Sequence, residues 1–523
     1  MAEPFYITTA ISYPNGPPHI GHAYEAIAGD AIARFQRAQG KDVRFVGGTD
    51  EHGLKMVQTA RAQDRETIDL ADEMSGYFRK MVNLFNLSYD AFVRTTEPRH
   101  HEASIALWNA MKEAGDLYLD RYEGWYSVRD EAFYDESELI DGEDGEKLSP
   151  QGTPVEWTAE ETWFFRLSRY QEPLLRLYRG NPDFIRPESR RNEVLRFVEA
   201  GLKDLSVSRT SFDWGVPVPD SPGHVMYVWV DALTTYMTGV GYPEDRAEYD
   251  RYWPADIHLI GKDIVRFHAV YWPAFLMSAK LPLPKQVFGH GFLLSRGEKM
   301  SKSVGNVVDP MELAERFGVD AVRYFFLREV PFGQDGSYSA EAIVNRANAE
   351  LANSFGNLAQ RTLSMIHKNL DGALPIIDSD NEEDNDLVSW VADAARTQVS
   401  REFEKLAFSQ GIEAWLLAVF RCNQYVDQMA PWALRKSDPE RMKAVLATVF
   451  LCIRDLAIAI RPIVPASADK LLDQMGILHH ARDYAALHDV DWYVTLAKSN
   501  FRLAAPNPIF PRLELPEDEE AAA

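Results

Sequence analysis

The sequence predicts an α/β protein in which a Rossmann-like parallel sheet is split by an insertion and followed by an all-α bundle. Three observations predict it. The first 50 residues alternate strand, helix and strand; apolar runs of strand length return after residue 221, beyond a stretch of different character; and past residue 341 apolar residues recur only at helical spacing.

Residues 5–9 read as a strand, the Ser-Tyr-Pro-Asn-Gly-Pro-Pro text of 12–18 as a loop, and 20–39 as a helix stopped by Gly40. Residues 41–47 form a second strand that ends in Gly47-Gly48-Thr49-Asp50. Strand, crossover helix and strand make the βαβ unit of a nucleotide-binding sheet. Helices are expected over 67–85 and 101–114. Residues 117–220 carry short strands, aromatic residues and turns around the acidic loop 135–146, and read as an inserted module. The apolar runs 225–231, 258–263 and 286–289 read as carboxyl ends of buried parallel strands. One α/β domain divided by an insertion accounts for this order better than two separate domains.

The helical half shows spaced apolar residues over 347–366, 386–403, 408–426 and 439–460. The expected division is therefore 1–116 for the first half of a catalytic domain, 117–220 for the insertion and 221–285 for the second half. A junction at 286–345, a helical domain at 346–510 and a flexible acidic tail at 511–523 complete it.

Composition narrows the class. With 523 residues, 46% hydrophobic and 12% aromatic, the chain holds more than one core and is not disordered throughout. Its only cysteines, Cys422 and Cys452, lie in apolar helical text, which argues against a disulfide framework and a thiolate zinc site. No run reaches 18 uncharged apolar residues and the first residues lack a signal pattern, so a soluble cytoplasmic protein without a membrane partner is expected. The net charge of −24 pushes against nucleic acid, although net charge does not describe local patches.

Two short phrases carry chemistry. In Pro18-His19-Ile20-Gly21-His22 the spacing puts both imidazoles on one helix face, while Gly21 leaves room for a purine or phosphate chain near unpaired helix N–H groups. Capping or core histidines are the alternative; the rigid entry through Pro14, Gly16, Pro17 and Pro18 favours a site. In Lys299-Met300-Ser301-Lys302-Ser303 two lysines flank a serine between Gly297 and Gly305, which suits a closing loop that neutralises a triphosphate. A plain basic surface loop fits the same residues.

The two phrases together match the signatures of class I aminoacyl-tRNA synthetases, and the whole chain resembles the methionyl family. Further matches are Ala10-Ile11-Ser12-Tyr13, Gly48-Thr49-Asp50-Glu51-His52-Gly53, Tyr227-Val228-Trp229-Val230-Asp231-Ala232, Gly261-Lys262-Asp263-Ile264-Val265-Arg266-Phe267-His268 and Ala430-Pro431-Trp432. The resemblance implies that the insertion is a connective peptide and the bundle an anticodon-binding domain. It implies a ligase that joins methionine to ATP as an adenylate and passes it to the terminal adenosine of methionine tRNA.

By the same resemblance His19, His22, Lys299 and Lys302 act on the phosphates, and Gly21, Gly261, Lys262, Asp263 and Ser301 bind ATP. Ile11, Tyr13, Trp229, Leu233, Tyr236, Phe267 and His268 resemble the methionine pocket, an aromatic cavity suited to a thioether. Asp50 is assigned to the substrate ammonium, with a turn-capping aspartate as the alternative. Glu25 is a weaker candidate. Asn357, Arg361 and Trp432 resemble anticodon-reading positions, against the alternative of a solvated helix face with a buried indole; Arg346, Lys368, Arg435 and Lys436 could add phosphate contacts.

Two departures from the family stand out. Where relatives carry zinc-binding cysteines, this chain has Ser127 and Asp130 and lacks the second pair, so no structural zinc is expected; Mg²⁺ with ATP is the implied cofactor. Leu233 stands where some relatives have proline. The implied partners are ATP, L-methionine and the initiator and elongator methionine tRNAs, with no obligate protein partner and a monomeric assembly. A nucleotidyltransferase acting on a small acceptor leaves the helical half unexplained, and a non-catalytic tRNA-binding protein is the other alternative.

Overall fold

The computed structural model describes residues 2–127, 132–142, 145–226, 228–295, 298–299, 307–376, 381–489, 491–499 and 501–515. It divides into two compact units, one of Pro4–Gly29 and Val43–His290, the other of Met1–Glu3, Asp30–Asp42 and Gly291–Ala523.

The first unit is built on a six-stranded sheet of β1 (Pro4–Thr9), β2 (Asp42–Thr49), β3 (Ala91–Arg94), β4 (Ile185–Arg186), β5 (Ile257–Gly261) and β6 (Val287–His290). Their order across the sheet is β3-β2-β1-β5-β6-β4. The pairs are parallel, with Ile7 opposite Ile257, Leu259 opposite Phe288, Val287 opposite Ile185 and Val46 opposite Ala91. Parallel strands covered on both faces read as continuous apolar runs, and β5 is buried along its whole length. The chain builds outward from β1 through β2 to β3, then crosses to β4 at the far edge and fills in β5 and β6 on the other side of β1. At such a reversal the crossover helices leave to opposite faces, and a crevice opens beyond the carboxyl ends of β1 and β5.

Three helices of this unit matter for the site: α1 (Ile20–Ala38), whose first half belongs to it, α2 (Pro98–Glu113) and α3 (Val228–Thr238). Between β3 and β5 the long strands Leu117–Ser127 and Glu156–Phe165 form an antiparallel pair, Leu117 opposite Phe165 and Tyr126 opposite Glu156. Phe165, Tyr178 and Val194 share one buried cluster with Tyr6, Val46, Met237 and Trp272, so this stretch and the parallel sheet have a common core.

The run 225–231 differs from its expected strand. Only Val225–Met226 is extended, pairing antiparallel with Ser208–Arg209, and α3 begins at Val228. Val230, Leu233, Tyr236, Met237 and Val240 are all buried. A helix buried on most sides gives the same unbroken apolar text as a buried strand, and a short window cannot separate the two.

In the second unit Leu293–Ser295 pairs antiparallel with Glu298–Lys299 and parallel with Gly336–Tyr338. A π-helical segment, Ala347–Gly356, leads into α4 (Asn357–Asn369), followed by α5 (Glu382–Asp393), α6 (Phe408–Met429), α7 (Pro431–Ser437) and α8 (Pro439–Ile460). The expected single helix over 386–403 is instead α5, a π-helical turn at Ala394–Val399 and a short helix at Ser400–Glu404. Helix α8 starts on Pro439 with the Asp438 carboxylate accepting the Arg441 N–H at 3.0 Å, and its apolar residues point in every direction. Such a helix must run through a core, and its side chains from Ala444 to Phe450 are all buried. Cys422 and Cys452 are buried here as free thiols.

Beyond residue 499 the chain returns along α4: Leu503 N–H donates to the Gly372 carbonyl at 2.8 Å, Gln360 Nε2 to the Pro506 carbonyl at 3.1 Å, and Asn348 brackets Leu513 through both main-chain groups at 2.8 and 2.9 Å. The expected tail from 511 is thus tied down at Leu513, while 516–523 lie outside the described residues. No helix among the described residues is long and apolar enough to cross a membrane.

Candidate active site

The loop after β1 is laced across the reversal point. Ala10 N–H donates to the Leu259 carbonyl at 3.1 Å, Ser12 N–H to Gly48 at 3.0 Å, and Asp50 N–H back to Ser12 at 2.8 Å. The chain ends of β1, β2 and β5 are therefore fixed relative to one another by main-chain bonds before any side chain is considered.

His19 ends that loop and accepts the first helical N–H bonds on its carbonyl, from His22 at 3.0 Å and Ala23 at 3.3 Å. Its Nδ1 accepts the Gly21 N–H at 3.0 Å, and its own N–H donates to His22 Nδ1 at 3.1 Å. The rings lie 3.9 Å apart and tilted by 31°, on one face as the spacing requires. Because both Nδ1 atoms accept, both protons sit on Nε2. A Cβ on Gly21 would come 2.8 Å from His19 Cε1. The room left by this glycine is therefore taken by the His19 ring and lets the imidazole pair form.

One turn further along α1, Glu25 Oε2 accepts from His290 Nε2 at 2.8 Å, with His290 at the end of β6. Burial pushes the Glu25 carboxyl above its ordinary range, against the hydrogen bond and charge of His290. At the end of β5, Gly261 leads into the turn Lys262–Ile264, and a Cβ there would sit 2.8 Å from Asp263 Oδ1. Asp263 adds to the upward push on Glu25, which places these carboxylates in one electrostatic neighbourhood.

The aromatic residues gather between α3 and the π-helical turn Phe267–Tyr271. On α3, Trp229, Leu233 and Tyr236 follow at four and three residues and so share a face. Trp229 stacks on Phe267 at 3.6 Å and 7°, and His268 meets Trp229 edge-on at 6.4 Å. Tyr236 O–H donates to His268 Nε2 at 2.6 Å, and His268 Nδ1 donates to the Ile264 carbonyl at 2.9 Å. Burial lowers the His268 pKa to about 4, so the ring is neutral and can accept from Tyr236. Burial raises Tyr236, and the carboxylates of Glu25 and Asp50 raise it further. Ile11 and Tyr13 are placed differently. Ile11 lies over Gly48, where a Cβ would come 3.1 Å from its Cγ2. Tyr13 packs with Met74 and Trp214 on the cluster of Met56, Ala60, Leu70 and Ala71.

Asp50 is buried, at 7% exposure, in the loop that leaves β2. Its neighbours hold it on both sides. Arg94 grips Glu51 with two bonds of 2.7 and 2.9 Å, and His52 Nδ1 donates to Asp231 of α3. The other Asp231 oxygen accepts from His100 Nε2 of α2 at 2.5 Å. Burial pushes the Asp231 carboxyl up, but the charge of His52 and the bonds from His100 and His52 outweigh it and hold the carboxyl well below its usual range. Nothing in the sequence analysis assigns this buried arrangement a role. Its signal in the text is one charge, Asp231, inside an otherwise uncharged apolar run.

In the second unit Lys299 ends the strand Glu298–Lys299, and Ser301 and Lys302 lie outside the described residues. The helical half brings the candidate anticodon residues together on α4 and α7. The Arg361 guanidinium lies 5.2 Å over the Trp432 ring and pairs with Asp427 at 3.2 Å, while Trp432 is 51% exposed. Asn357 opens α4 one turn before Arg361 and is exposed. An indole left half in water with a cation against its face is a surface on which an unpaired base can stack. Arg346, by contrast, is engaged by Glu329 and Glu350 at 2.9 and 2.6 Å.

The family is decided by comparison with known proteins. Residues 5–363 match the family "tRNA synthetases class I (M)", and 378–522 match "Anticodon binding domain of methionyl tRNA ligase". The chain belongs to the class I methionyl-tRNA synthetases. The methionine–tRNA ligase of Rhizobium meliloti is 56% identical over 516 residues, covering 98% of this chain and 99% of that one. That of Mycobacterium bovis is 55% identical over 526 residues, with 99% of each covered. The Mycobacterium tuberculosis methionyl-tRNA synthetase bound by methionyl-adenylate superposes with a TM-score of 0.93 at 54% identity, over 97% of this chain and 100% of that one. As a methionyl-tRNA synthetase the chain activates methionine with ATP and transfers it to tRNA.

Where relatives carry the zinc-binding cysteines, Ser127, Ser149 and Thr153 are buried and their hydroxyls bond to one another at 2.7 and 2.8 Å. Hydroxyls do not replace thiolates on zinc, and no group of three or more His, Cys, Asp or Glu among the described residues is arranged to hold a metal. Asp130 lies outside the described residues.

Proposed function

We propose that the crevice beyond β1 and β5 holds ATP beside methionine, with the α3 and 267–271 aromatic residues around the thioether. Asp50 receives the ammonium group, which turns the methionine carboxylate toward the α-phosphate. A carboxylate oxygen attacks the α-phosphorus, the bond to pyrophosphate breaks, and methionyl-adenylate forms without a covalent enzyme intermediate. The Nε2–H groups of His19 and His22 and the charges of Lys299 and Lys302 stabilise the phosphate oxygens as charge develops on them. Gly21, Gly261, Lys262, Asp263 and Ser301 complete the ATP site; Ile11 and Tyr13 close the amino-acid side. Mg²⁺ enters with ATP and neutralises phosphate charge, and no side chain of the protein is assigned to it.

In the second step the 2′-hydroxyl of the terminal adenosine attacks the adenylate carbonyl and AMP leaves. Asn357, Arg361 and Trp432 read the anticodon of methionine tRNAs, initiator and elongator. In this reading 1–116 and 221–285 form the catalytic domain around the 117–220 insertion, 286–345 carries the lysine loop, and 346–510 binds tRNA. The protein works as a cytoplasmic monomer without structural zinc.

The observation that supports this most strongly is the meeting of the His19–His22 pair, Asp50 and the Trp229–Phe267 stack around one strand-order reversal. It occurs in a chain 54% identical to a synthetase structure bound by methionyl-adenylate. Methionine-dependent exchange of labelled pyrophosphate into ATP tests the first step, and charging of methionine tRNA tests the second. Folded protein that fails to exchange would overturn the reading; exchange without charging would leave an adenylate-forming enzyme.

A further inference from the structure

Helix α3 has two working faces. At 100° per residue Trp229, Leu233 and Tyr236 fall within one 60° sector, whereas Asp231 and Thr238 fall on the opposite side. The opposite side is held by two other elements. His100 of α2 bonds Thr238 Oγ1 through Nδ1 at 2.9 Å and Asp231 through Nε2 at 2.5 Å. His52, two residues beyond Asp50, bonds the second Asp231 oxygen.

The loop that carries Asp50 is otherwise tied to its own side of the sheet. Asp50 N–H reaches Ser12, Glu51 N–H reaches Thr95 Oγ1 at 2.8 Å, and the Glu51 carboxylate accepts from Thr49 and Thr96 hydroxyls at 2.7 and 2.6 Å as well as from Arg94. Trp214 Nε1 donates to the Glu51 carbonyl at 2.7 Å. The His52 ring is itself fixed edge-on by Trp214 at 5.7 Å and His101 at 5.5 Å. A rigid loop thus meets the back of the pocket helix through the His52–Asp231 bond, with Asp231 fully buried.

We infer that Asp231 and His52 are positioning residues that fix the span between the Asp50 carboxylate and the pocket face of α3, and so set the side-chain length the enzyme activates. The inference rests on the proposed methionine site. One end of the substrate is placed by Asp50 and the other by Trp229, Leu233 and Tyr236; neither His52 nor Asp231 is proposed to touch it. A slack link would let α3 shift against the loop, so that a longer side chain is accepted and methionine is held less well.

The test uses the full-length enzyme, active-site titrated, in pyrophosphate exchange with methionine and with ethionine, which is longer by one methylene. His52→Ala removes the link while Asp231 keeps His100. His52→Asn restores it, because the asparagine amide nitrogen stands where Nδ1 stands. A fitted pocket discriminates one methylene by about 10- to 200-fold. Loss of the link is expected to reduce the methionine-over-ethionine ratio of kcat/KM by about tenfold, chiefly through KM for the amino acid, with KM for ATP within about twofold of wild type. His52→Asn is expected to recover most of the ratio, and Asp231→Asn, which leaves one imidazole facing an amide N–H, to lose it.

A ratio unchanged in His52→Ala would overturn the inference. So would equal rises in both KM values, or a fall only in melting temperature. Wild-type enzyme that does not exchange with methionine would instead overturn the proposed site, and the two failures are read from different proteins.

Discussion

The Tyr236 hydroxyl and His268 Nε2 meet at 2.6 Å in the interior of the first unit, with the other imidazole nitrogen committed to the Ile264 carbonyl. This geometry needs a neutral ring, and burial holds the His268 pKa at about 4 against an ordinary 6.5. The folded pKa lies below that of the unfolded chain, so the unfolded chain binds the proton first. Stability from this residue is complete above about pH 6.5 and falls as the pH drops toward 4, by roughly 3 kcal/mol in all. Comparing urea midpoints at pH 7 and pH 5 for wild type and His268→Gln checks it: the variant is expected to start less stable and to lose less on acidification.

The close approach at the head of α1 makes a second prediction. A methyl group on Gly21 would press 2.8 Å from His19 Cε1, so Gly21→Ala must turn the His19 ring away from His22. Removing a preorganised donor from charge that develops in a transition state costs on the order of 10²- to 10³-fold in rate. Gly21→Ala and His22→Ala should each reduce kcat for pyrophosphate exchange by about that much, with far-ultraviolet circular dichroism unchanged. A Gly21→Ala enzyme of wild-type rate would mean that the imidazole pair plays no part in the chemistry.

How much of this was legible beforehand depends on the range of the interaction. The histidine pair follows from residues three apart on one helix, and α8 from an apolar run too long for a strand and its Asp438-Pro439 start, because both are local. The run 225–231 reads as a strand yet is helical from Val228, because a helix buried on most sides loses the periodicity that distinguishes it. The His52–Asp231–His100 arrangement joins three elements distant in sequence, and no local pattern announces such a bond. Only the isolated charge of Asp231 hinted that a buried partner was needed. The Ser127, Ser149 and Thr153 hydroxyl cluster was likewise hidden: the missing cysteines were plain, but not what packs in their place.

In the helical half Arg361 lies over Trp432 and shares its charge with Asp427. Stacking of one base on an aromatic ring contributes about 1–3 kcal/mol. Trp432→Ala is therefore expected to reduce kcat/KM for charging of methionine tRNA by about 10- to 100-fold. Pyrophosphate exchange, which needs no tRNA, should stay within about twofold of wild type. Equal losses in both assays would show that Trp432 supports the fold or the first step instead of tRNA binding.

The second unit contains a buried charge whose loss should be read in stability alone. Arg323 has no exposed surface; it pairs with the equally buried Asp30 at 2.7 Å and donates to the Ile463 and Pro462 carbonyls at 2.9 and 3.1 Å. Asp30 also accepts from Arg34 at 2.7 Å, so the second half of α1 is held through one carboxylate. Truncating one partner of a buried pair leaves the other desolvated, which costs about 3–5 kcal/mol, whereas the Coulomb attraction of the intact pair is largely cancelled by the cost of burying it. Arg323→Leu should therefore destabilise the protein by about 3–5 kcal/mol, and the double variant Arg323→Leu, Asp30→Leu by less than the single one. Chemical denaturation of the two variants against wild type checks both statements. Exchange activity per folded molecule should be unchanged in each, since neither residue is among those proposed to act on ATP or methionine.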